Sequence, residues 1–125
     1  MKKIVIASLA CIAVIVLFSC EYKKEVAPVI TPACDTSNVR YSVEIVNILS
    51  ANCYSCHASS IANSSGGGNK LDNYTTLKPY ASSGLLYNVV NHTPGYDFMP
   101  KNLPQISSCD IAKIRTWIRN GYLNN

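Results

Sequence analysis

Cys53-Tyr54-Ser55-Cys56-His57 is the stretch on which the reading of this 125-residue chain turns. Two thiols stand three positions apart, and an imidazole follows at once. C-x-x-C-H is a covalent haem attachment signature. The two sulfurs can reach the vinyl groups on one porphyrin edge as thioethers, and the adjacent ring lies beneath the iron. On this reading Cys53 and Cys56 hold one haem c, and His57 is the proximal iron ligand. Two other uses of the pair stay open. A dithiol redox motif also uses CxxC, but needs no following histidine and usually sits in a βαβ setting. A zinc site could recruit Cys34 and Cys109, but that spacing matches no paired-knuckle pattern.

A distal ligand can be sought by elimination. The chain has two methionines, and Met1 would leave with a signal peptide. Met99 lies in Pro94-Gly95-Tyr96-Asp97-Phe98-Met99-Pro100, a turn-rich loop able to present a side chain to a cofactor. Pro100 holds Met99 in extended backbone. His92, the other histidine, is the competing ligand, and an open iron is the third possibility. Methionine–histidine ligation raises a haem potential, and filling both axial positions favours electron transfer over catalysis.

The remaining cysteines divide by position. Met1-Lys2-Lys3 precedes an apolar run from Ile4 to Phe18, and Ser19-Cys20 follows. This is the layout of a secretory signal, and a cysteine after a small residue resembles a bacterial lipobox. The expected organisation is a signal peptide over residues 1–19, a lipid-anchored tether over 20–33 starting at lipidated Cys20, and a folded domain over 34–125. The alternatives are an uncleaved anchor, for which the run is short of the roughly 20 residues needed, and a soluble secreted protein. All three place the domain outside the cytoplasm. Cys11 leaves with the signal, so Cys34 and Cys109 remain as an even pair in an oxidising compartment, and a disulfide between them is expected. Two unpaired buried thiols are the alternative.

Composition limits the function classes. Only 14% of residues are charged, and the net charge is +4. Loss of Lys2 and Lys3 would leave 9 basic against 7 acidic side chains, or +2. The absence of a basic stripe or an aromatic platform argues against nucleic acid as a partner.

The periodicity is helical. Ser42 is placed to cap a helix reaching Asn52, with Val43, Ile45, Val46, Ile48 and Leu49 as its apolar face. Residues 59–69, rich in Ser, Asn and Gly, read as a flexible loop. Thr75–Tyr80 reads as a short helical turn ending near Pro79, and residues 84–90 read as a helix. The last helix is capped by Ser107 or Ser108, carries Asp110 in its first turn, and ends before Gly121. Its stripe of Ile111, Ile114 and Ile118, with Trp117 beside them, should pack on the first helix.

With these pieces in place the chain resembles the class I monohaem c-type cytochromes, in particular small bacterial lipoprotein-type cytochromes c. The resemblance rests on Cys34-Asp35-Thr36, Cys53 to His57, Leu71-Asp72-Asn73-Tyr74, Gly95-Tyr96, Met99-Pro100, and Cys109-Asp110-Ile111 through Trp117-Ile118. It covers about residues 34–125. Tyr122-Leu123 departs from it, where relatives often carry a small residue and proline. The resemblance implies an all-α, cytochrome c-like fold with terminal helices packed around a haem crevice. It also implies an electron carrier cycling Fe(II) and Fe(III), with respiratory redox partners and no small-molecule substrate. The expected location is a bacterial membrane surface facing the periplasm or cell exterior, reached through the lipid anchor. A peroxidase or gas sensor is the enzymatic alternative, should Met99 leave the iron. Arg40, Lys70, Lys101 and Trp117 are the candidate propionate partners.

Overall fold

The computed structural model of the chain describes residues 33–125. The expected signal peptide, Cys20 and all but the last residue of the expected tether lie outside the described residues. A π-helical turn (Tyr41–Ile45) runs into α1 (Val46–Asn52), followed by α2 (Tyr54–His57), α3 (Ala62–Ser65), α4 (Tyr74–Ser82), α5 (Leu85–Val90) and α6 (Ser108–Arg119). No strand occurs among the described residues, and the fold is all-α. None of the described helices is long and apolar enough to cross a membrane.

The first helical run buries Tyr41, Ile45, Ile48 and Leu49, one face of a helix at i, i+4, i+7 and i+8. Its start differs from the expectation. Ser42 caps nothing and lies inside the π-helical turn, and Arg40, the boundary residue, makes no side-chain cap. Arg40 N donates locally to the Glu44 carboxylate at 2.8 Å, and the next two N–H groups are served by Asn125. Asn125 Oδ1 accepts from Tyr41 N at 2.9 Å, and Asn125 O accepts from Ser42 N at 2.8 Å.

The last helix follows its local signals. Ser107 Oγ accepts from Asp110 N at 3.0 Å and donates to the Asp110 carboxylate at 2.8 Å. Its C-terminus closes in a paired-carbonyl turn: Tyr122 N donates to Trp117 O at 2.9 Å and Gly121 N to Ile118 O at 3.0 Å. Gly121 has φ 90°, which this closure requires and which a side chain resists. Ile114 and Trp117 are fully buried, and Ile111 and Ile118 pack against the core as half-buried neighbours. Trp117 stacks on Tyr41 with ring centres 5.9 Å apart, and Tyr41 meets Tyr74 edge-on at 5.1 Å. The aromatic trio joins α6, the first helical run and α4.

The middle of the chain is more helical than its composition suggests. Residues 59–69 contain α3, whose Ala62 is fully buried. α4 continues past Pro79 to Ser82. Burial of Leu77 and Ala81, one turn apart, carries the helix through the missing donor. Asn73 starts it, its Oδ1 accepting from Thr75 N at 2.8 Å. Cys34 and Cys109 form a disulfide, with Cα atoms 5.4 Å apart. It pins the segment before the first helical run to the opening turn of α6.

Candidate functional site

A cleft of about 320 Å³ opens beyond the C-terminal end of α1. Cys53, Cys56 and His57 line it together with Leu86, Val89 and Met99. The structure thus brings Cys53, Cys56, His57 and Met99 to one cavity with a mainly apolar lining. Cys53 N donates to Leu49 O at 2.8 Å, so the turn carrying the thiols grows directly from α1. Cys56 N and His57 N then both donate to Cys53 O, at 3.1 and 2.8 Å.

Both thiols are free, Cys56 exposed and Cys53 half-buried. Burial pushes the Cys53 thiol up to about 11, with the neighbouring Cys56 adding to the shift. Cys53 is therefore protonated at neutral pH, the form least able to attack an electrophile or bind a metal.

His57 is oriented by backbone. Its Nδ1 lies 2.9 Å from Asn69 O. A carbonyl only accepts, so Nδ1 carries the hydrogen and, in the neutral ring, the lone pair resides on Nε2. The segment after His57 is laced to residues 69–72. Leu71 N donates to His57 O at 2.9 Å, and Asp72 accepts from Ser59 N and Ser59 Oγ at 2.7 and 2.6 Å. The Ser59 hydroxyl first, and its N–H second, hold the Asp72 carboxyl below its ordinary value.

Met99 is clipped to α5. Its N–H donates to Val89 O at 3.0 Å, and its carbonyl accepts from His92 Nε2 at 3.1 Å. The Met99–Pro100 peptide is cis. The His92 ring stacks on Phe98 at 4.6 Å. His92 is thus committed to holding the methionine loop and is absent from the cleft lining. Of the four side chains considered for propionates, Lys101 lines the cleft and Arg40, Lys70 and Trp117 do not. The Arg40 guanidinium lies 3.8 Å from Glu44, and the Trp117 indole donates to Leu123 O at 2.9 Å.

The sequence reading missed several lining residues. Leu86 and Val89 carry the helical stripe of α5, a signal that marks burial without distinguishing core from cavity wall. Gly66, Asn69 and Tyr80 also line the cleft. Gly66 was expected in a flexible loop, yet it is buried beside His57.

Comparison with family models, curated proteins and solved structures finds no match to this chain. Among the described residues no group of three or more His, Cys, Asp or Glu side chains is placed to hold a metal ion. This finding corrects the expectation of a class I monohaem cytochrome c. Haem c as cofactor, iron ligation by His57 with Met99 or His92, and Fe(II)/Fe(III) electron carriage are set aside with it. The zinc alternative falls too, because Cys34 and Cys109 are consumed in a disulfide and neither lines the cleft.

Proposed function

We propose that this chain is an exported, lipid-anchored carrier module that holds a small, predominantly apolar ligand bearing a hydrogen-bond donor. The observation that carries the reading is the cleft itself. Apolar walls from α5 and the Met99 loop surround one oriented imidazole whose free nitrogen can accept a hydrogen bond. Mostly apolar surfaces with a few placed polar groups are how small-molecule sites are built. A carrier role, rather than catalysis, is supported by the wiring of His57: its Nδ1 is held by a peptide carbonyl and not by a carboxylate that would strengthen a base. Export and anchoring are supported by the sequence of residues 1–20. The tether would place the domain at a bacterial membrane surface, on the periplasmic or outer side, with nucleic acid not a partner. The finer fold proposed is cytochrome c-like: α6 packs on the π-helical turn and on α5, and the cleft lies beside the helices that close the core.

Titration of the exported, purified chain with the apolar dye Nile red tests the reading. Saturable binding of one dye is expected, with loss of at least tenfold in affinity in Val89→Trp, which fills the cleft from α5. The bound dye should also shield Cys53. Without dye, alkylation of Cys53 at neutral pH should run slower than that of an ordinary thiol by on the order of tenfold. Dye binding unchanged in Val89→Trp would overturn the proposal. So would both thiols resisting alkylation in denaturant while the 53–57 peptide carries extra mass, since the cleft would then hold a covalent group.

A further inference from the structure

We infer that Tyr80, acting through Asn69, is the positioning residue that sets the tautomer of His57. The carbonyl that accepts from His57 Nδ1 belongs to Asn69, and that residue is held at two other points. Its N–H donates to Gly66 O at 3.1 Å, and its side-chain Oδ1 accepts from Tyr80 Oη at 2.8 Å. Tyr80 stands on α4, whose place is fixed by buried Leu77 and Ala81. A helix that lines the cleft therefore reaches the residue whose peptide orients His57 through a single phenol.

The loop has little freedom to fail in this task. A Cβ at Gly66 would collide with Cys56 O and lie 2.8 Å from His57 Nδ1. The first of these is backbone and cannot swing aside, so the loop seats on the imidazole only because residue 66 has no side chain. Gly66 N in turn donates to Ala62 O at 2.8 Å, tying the seat to buried Ala62 of α3. Gly68 N donates to Ala62 O and Leu71 N to His57 O, both at 2.9 Å, and beside these backbone ties the Tyr80–Asn69 hydrogen bond is the side-chain contact that a substitution can remove. Its consequence is that Nε2 of the neutral ring faces a ligand as an acceptor. Loss of the Tyr80 hydroxyl would let the Asn69 carbonyl drift and admit the opposite tautomer, which offers the cleft an N–H. Only this functional consequence rests on the cleft being a binding site; the tautomer is read independently of any ligand.

Nitrogen-15 NMR of histidine-labelled full chain, under conditions where the imidazole is neutral, reads the tautomer directly. His92→Gln assigns the signals of the two histidines. In the parent protein the Nδ1–H form of His57 should dominate. Tyr80→Phe should move the ratio toward the Nε2–H form by roughly fivefold, the equivalent of one hydrogen bond. Asn69→Ala, which keeps the carbonyl and removes the side-chain acceptor, should give the same shift. The double variant should shift no further, because both changes break one link. An unchanged ratio in folded Tyr80→Phe, or fully additive shifts, would overturn the inference. A shifted ratio alongside failed Nile red binding would sustain it while sinking the ligand-carrier reading.

Discussion

The two helical runs that build the core begin in opposite ways. α6 is capped by its own preceding residue, Ser107, three positions from the N–H it serves. The first run is capped by Asn125, a residue 84 positions away. A local cap can form in an isolated segment, whereas a remote one exists only after the chain has closed. The start of α6 should therefore be robust to loss of distant structure, and the start of the first run should be the first place to fray when the C-terminal segment is disturbed.

The largest expected effect comes from removing what joins the two runs. Trp117 stacks on Tyr41 and is 1% exposed. Trp117→Ala should cost about 3–5 kcal/mol in urea denaturation, through lost burial and a cavity. Amide exchange should show the first run losing protection along with α6. Protection kept in the first run alone would break the view that its order depends on α6.

A smaller effect separates the caps themselves. Ser107→Ala should cost about 1 kcal/mol and raise exchange at the Asp110 amide. Asn125→Ala should cost about the same, through the unpartnered Tyr41 amide, and raise exchange at residues 41 and 42 instead. If Ser107→Ala loosened both starts equally, the division between a local and a remote cap would fall.

The smallest effect concerns the clamp beside the site. Asp72 is held by Ser59 below its ordinary carboxyl value of 3.8. A group whose folded value is depressed stabilises the fold above its unfolded value, and that stabilisation is lost as pH falls through the folded value. Stability should therefore decline below about pH 3.8 in the parent protein, and more gently in Asp72→Asn, which keeps an acceptor for Ser59 but does not titrate. Parallel declines would show that other carboxyls carry the acid response.

Much of α6 was legible because its signals are neighbours in sequence: a capping serine, an acidic first turn, apolar residues at helical spacing, and a glycine past the end. The same kind of signal misled at Ser42, where a good capping residue sits two positions past the helix boundary at Arg40 and the cap comes from elsewhere. Proline at position 79 suggested a stop, but Leu77 and Ala81 bury enough apolar surface to carry α4 past it. At the site, Cys53, Cys56 and His57 fall together on the short turn that follows α1. The iron centre read from that spacing needed a convergent set of metal donors, and among the described residues no such group forms.

By itself, the sequence determined that the domain is helical, which faces of its helices are apolar, and that Cys34 and Cys109 are the two cysteines left over once the others are assigned. These follow from backbone periodicity and from residue chemistry, which act over a few positions. Only the tertiary structure decided that Asn125 caps the first helical run, that His92 holds the Met99 carbonyl, that Gly66 makes room for an imidazole, and that Tyr80 reaches Asn69. Each of these is a contact between segments with no common local pattern, and its energy appears only when the folded core brings them together.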